Sequence, residues 1–68
     1  MEAKKVVVQG GGKNLFKVSN SSGYFYVYKV DVGLFDRLHD IGKTRSLEDA
    51  LTLIRSYSGR EIDKIAPW

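Results

Sequence analysis

The sequence predicts a small α+β domain. The expected architecture is a three- or four-stranded antiparallel meander with one C-terminal helix packed on one face. Three observations predict it. Runs rich in β-branched and aromatic residues fill much of residues 4–32, with no proline among them. Gly-rich or Asn/Ser/Gly clusters separate those runs at hairpin length. Helical apolar spacing is clearest over residues 46–59, bracketed by a capping Ser and a closing Gly. The chain has 68 residues, which allows a single core and thus one domain over 1–68.

The first strand is expected over about Lys4–Gln9, where Val6, Val7 and Val8 are β-branched. Gly10-Gly11-Gly12-Lys13 then reads as a turn. A second strand, about Asn14–Asn20, places Phe16 and Val18 on one face and Leu15, Lys17 and Ser19 on the other. Asn20-Ser21-Ser22-Gly23 forms the next turn. The third strand, about Tyr24–Val32, has Tyr24, Tyr26, Tyr28, Val30 and Val32 on one face. Phe25, Val27, Lys29 and Asp31 alternate onto the other. Bulk on both faces suits a central strand. Residues 34–41 admit two readings, a helix with Leu34, Leu38 and Ile41 on one stripe, or an edge strand near Arg37–Gly42. The short polar link to the next helix favours the strand.

The helix is the clearest element. Ser46 is its candidate N-cap and Asp49 stands at the capping-box position. Glu48 and Asp49 complement the positive helix end. Leu47, Ala50, Leu51, Ile54 and Tyr57 form the stripe expected to face the sheet. Gly59 fits the left-handed position that ends a helix. The tail carries Ile62 and Ile65 three apart, then Pro67 and Trp68. A short strand, an extra turn and a docking arm all fit it. A terminal Trp either folds back on the core edge or meets a partner.

Composition narrows the function classes. Apolar residues make up 43% of the chain and charged ones 28%, a globular balance rather than a disordered one. The absence of cysteine removes disulfides and thiolate zinc sites, and agrees with a reducing, cytoplasmic setting. No apolar run reaches membrane-spanning length. The apolar part of the N-terminus is too short for a signal peptide, so the sequon Asn20-Ser21-Ser22 is expected to serve only as a polar turn. Net charge is +3, unevenly placed. Residues 1–30 hold Lys4, Lys5, Lys13, Lys17 and Lys29 against Glu2, whereas residues 31–68 hold slightly more acids than bases. A basic half attracts phosphates, acidic proteins or an anionic membrane surface.

Catalytic and cofactor motifs do not hold up. Gly10-Gly11-Gly12-Lys13 leads into a strand, so no helix N-terminus points at an anion. Gly42-Lys43-Thr44 copies the end of a phosphate-loop motif, but Arg37 stands where that motif needs Gly. His39, flanked by Asp36 and Asp40 with Asp31 upstream, is a poor metal set and lacks a nucleophile. No enzyme, metal or small-molecule cofactor is expected. The tyrosine row is the strongest candidate. Tyr24, Tyr26 and Tyr28 project from one face about 7 Å apart. Aromatics interleaved with bases hold nucleic acid on sheet platforms. The same row also suits a cross-strand cluster, part of the core, or a homodimer interface.

Three segments also carry a family resemblance. They are Asn14-Leu15-Phe16-Lys17-Val18, Gly23-Tyr24-Phe25-Tyr26-Val27-Tyr28 and Ile41-Gly42-Lys43-Thr44-Arg45-Ser46-Leu47-Glu48-Asp49-Ala50. Over about residues 14–57 the chain resembles the N-terminal arm-binding domain of tyrosine recombinases and the related plant ethylene-response DNA-binding domain. It is equally similar to short prokaryotic proteins of strands plus one such helix, which have no assigned activity. The first resemblance implies three strands against a helix, with the sheet laid in a DNA major groove. The expected function is therefore a non-enzymatic nucleic-acid-binding module. Lys13, Lys17, Lys29, Lys43 and Arg45 would contact phosphates, and Tyr24, Tyr26 and Tyr28 would lie on the sheet face. The alternative is a homodimerising or protein-partner-binding domain.

Overall fold

A computed structural model describes residues 2–10, 14–31, 33 and 37–68. Strands β1 (Glu2–Val8), β2 (Leu15–Ser21), β3 (Tyr24–Asp31) and β4 (Arg37–Thr44) precede helix α1 (Leu47–Ser58) and strand β5 (Ile62–Pro67). They form one antiparallel sheet of order β4-β3-β2-β1-β5, with α1 against one face. The fold class is α+β, with a single C-terminal helix among the described residues, as the spacing predicts.

Among the described residues the sheet has five strands, one or two more than the three or four expected. The tail is the extra one: β5 pairs with the outer edge of β1. Its register slips between Val7 and Val8, so that Val6 faces Ile65 and Val8 faces Ile62. An inserted residue turns the rest of its strand onto the opposite face. Ile62 and Ile65, three apart, therefore serve the same face of a strand. Residues 37–44 settle as the edge strand β4. Gly10 lies in a turn, and the β1–β2 hairpin is drawn together by Val8 N–H donating to the Asn14 carbonyl at 3.1 Å. Residues 11–13, expected in that turn, lie outside the described residues. So do 34–36 of the segment that admitted two readings.

The core forms between the sheet and the helix. Val6, Val8, Phe16, Val18, Val27, Ala50 and Ile54 are all 2% exposed or less. Phe25, Ile41, Leu47, Leu51, Leu53 and Ile62 pack around them. Ser46 caps α1 as expected, with its Oγ accepting from Asp49 N–H at 3.0 Å. Gly59 ends the helix at φ 71°, donating its N–H to the Arg55 carbonyl. The stripe is broader than its spacing implied, because Leu53 joins it. Tyr57 lies at its margin. It meets Phe16 edge-on at 5.9 Å and remains 56% exposed.

Candidate functional site

Cross-strand register decides which side chains share the helix-free face. Phe16, Val18 and Val27 pack with the helix, so their alternating neighbours point away from it. Lys5 on β1 stands opposite Lys17 on β2. Lys17 stands opposite Tyr28 on β3, and Ser19 opposite Tyr26. Tyr26 in turn faces Lys43 on β4, and Tyr28 faces Asp40. This row also includes Val7, Leu15, Val30 and Leu38 toward the far end of the strands.

A second bulge sets the β4 contribution. Val27 pairs with Gly42 while Tyr28 pairs with Asp40, leaving Ile41 as the extra residue. Ile41 packs into the core, and Gly42 lies under Leu53, whose Cδ2 is 2.9 Å from where a Cβ would stand. With two successive residues on the helix side, Lys43 and Arg45 turn to the open side. Without the bulge, alternation would bury them toward the helix. Gly42 holds φ 150°, a backbone that L side chains rarely adopt. Its N–H donates to Asp40 Oδ1 at 2.9 Å.

Two groupings of a ring with two cations result. At one corner the Lys43 ammonium lies 4.6 Å from the Tyr24 ring centroid, and the Arg45 guanidinium 5.6 Å. Tyr26 is tilted against Tyr24, with centroids 6.4 Å apart. At the opposite edge the β1–β5 ladder runs one step further to Trp68, whose N–H donates to the Ala3 carbonyl at 3.0 Å. Lys17 and Lys5 hold their ammonium groups 4.8 and 5.9 Å from its ring. Trp68 stays 48% exposed. Tyr24, Tyr26 and Tyr28 are half-buried.

The residues singled out from the sequence thus divide. Lys17, Tyr24, Tyr26, Tyr28, Lys43 and Arg45 come together on the open face. Lys29 does not. It pairs with Phe16 on the helix side, sits 5.6 Å from the Phe16 ring, and donates to the Val30 carbonyl at 3.0 Å. Lys13 lies outside the described residues. Two members were missed. Lys5 belongs beside Lys17 by strand register, which the alternation of the first strand could have suggested once the hairpin was drawn. Trp68 joins only because the tail is a strand.

Other candidate chemistry is sparse. His39 Nε2 meets Asp31 Oδ2 at 2.6 Å, an exposed pair on the helix side. No group of three or more His, Cys, Asp or Glu among the described residues could hold a metal. A recess between Lys4, Val18, Asn20 and Phe25 has about 20 Å³ of free volume. That is room for about one water and far below a ligand pocket. No protein-family model, curated protein or solved structure matches the chain.

Proposed function

We propose that this chain is a non-enzymatic nucleic-acid-binding module that receives its ligand on the helix-free face of the sheet. One observation carries the reading: Tyr24, Tyr26, Tyr28 and Trp68 share that face with Lys5, Lys17, Lys43 and Arg45. Rings stack on bases, which all present a π-face, and the cations neutralise phosphates. Lys5 and Lys17 sharpen the point. Like charges directly opposite on neighbouring strands repel, and an anion between them relieves that repulsion.

Sheet width favours single strands over a duplex. Five strands about 4.8 Å apart span about 19 Å. A major groove is about 12 Å wide and admits a helix or a two-stranded ribbon. A single strand can lie flat across the whole face. The test is a salt titration of binding to mixed-sequence single-stranded DNA and RNA, with duplexes in parallel. Binding that weakens steadily with salt and favours single strands supports the reading. No binding at low salt ends it.

A second reading has its own observation. The far end of the same face carries Leu38, 46% exposed, beside half-buried Leu15 and Val7, with Val30 fully buried among them. This apolar end suits self-association of two sheets. Light scattering at high micromolar concentration separates the two: a monomer that binds oligonucleotides leaves the first reading alone.

A further inference from the structure

The two groupings on the open face have the same make-up. Each is one aromatic ring with two cations within 6 Å of its centroid: Tyr24 with Lys43 and Arg45, and Trp68 with Lys17 and Lys5. They sit at opposite sides of the sheet. Tyr24 is on β3, next to the β4 edge. Trp68 comes directly after β5, which forms the other edge. Between them run β1 and β2, with small residues along the connecting row: Ala3 pairs with Ser19, and Ser19 with Tyr26.

We infer that the face binds one single strand of nucleic acid running across the β-strands, held at two stations, one at Trp68 and one at Tyr24. The inference rests on the nucleic-acid reading above and specifies its ligand. At each station the ring takes a base and the paired cations take the phosphates that flank it. Three strand spacings separate the stations sideways, and Tyr24 lies about two residues further along. Together these give a separation of about 16 Å. Stacked nucleotides advance about 3.4 Å each, and stretched ones advance further. The stations are therefore joined by about three to five nucleotides. The low row of Ala3 and Ser19 leaves the intervening chain free of obstruction, and Tyr26 offers a ring on the way. Asp40, opposite Tyr28, has one carboxylate oxygen engaged by the Gly42 amide. The path passes above it, on the Tyr26–Lys43 row.

A length series tests this. Fluorescently labelled oligo-dT and oligo-U of two, four, six and eight nucleotides are titrated at low salt, with binding followed by polarisation. Affinity should rise at least tenfold between two and six nucleotides and then level off, because only the longer strands reach both stations. Trp68→Ala and Tyr24→Ala should each abolish most of that rise. Trp68 is half-exposed and Trp68→Phe keeps a ring, so restored length dependence in Trp68→Phe separates stacking from a folding defect. If dinucleotides bind as tightly as octamers, or if neither alanine variant alters the length dependence, the two-station track is wrong while the nucleic-acid reading stands. If no oligonucleotide of any length binds, both fall.

Discussion

Lys17 and Lys29 show how little a residue's type says about its role. Both are lysines in central strands, and they differ in which face they occupy. Lys17 lies over the Trp68 ring on the open face, and Lys29 lies over Phe16 on the helix face. Lys17→Gln should weaken oligonucleotide binding and reduce the salt slope by about 0.7, the contribution of one phosphate contact on a single strand. Lys29→Gln should change neither, and the pair of log–log salt plots checks both statements. Gly42 is the other decisive residue. Gly42→Ala places a Cβ 2.9 Å from Leu53 Cδ2, which the end of a flexible side chain can yield to. It also asks an L-residue to hold φ 150°, at a cost of about 1–3 kcal/mol. Urea denaturation should show a loss of that size, and a variant as stable as the parent would remove the strain argument.

Elements here are held by local devices and re-aimed by bulges. Helix α1 starts at a β-region Ser46 whose hydroxyl accepts from Asp49 N–H, and stops at a left-handed Gly59. Ser46→Ala leaves that amide without its partner and should cost about 1 kcal/mol, read as a lowered denaturation midpoint at constant slope. The bulge at Ile41-Gly42 does more than bend β4. It seats Ile41 in the core and still delivers Lys43 and Arg45 to the opposite face. The β1–β5 bulge does the equivalent for Ile62 and Ile65. At the β2–β3 turn, Ser22 and Gly23 take φ 55° and 80°. Two consecutive positive φ values match the twist of the hairpin.

For the molecule as a whole, the radius of gyration is 11.0 Å, about that of a compact domain of this length. Compactness is reached with a single helix because β5 closes the sheet beside β1, where Val6 and Val8 are fully buried. A chain ended at Glu61 should therefore lose cooperative thermal unfolding by circular dichroism, since β1 would become an exposed edge beside a thinned core. Retained cooperative melting of that shorter chain would show β5 to be dispensable. Among the described residues no helix is long and apolar enough to cross a membrane.

Short-range physics was legible in the sequence. Alternation, hairpin turns and a capped amphipathic helix depend on neighbours within a few residues. The α+β class, the turns around residues 10 and 22, and the limits of α1 could be read directly. Within the candidate site, the shared face of Tyr24, Tyr26 and Tyr28 came from the same period of two. What only the tertiary structure decided was how separate segments meet. Alternation assigns relative faces within one strand, but the side on which the helix lands depends on packing across the whole sheet. Both bulges depend on a partner strand, so neither the shared face of Ile62 and Ile65 nor the outward turn of Lys43 and Arg45 could be counted from spacing. Pairing of the tail with β1 joins residues about sixty apart in sequence. That contact brings Trp68 to Lys5 and Lys17, and no local pattern encodes it.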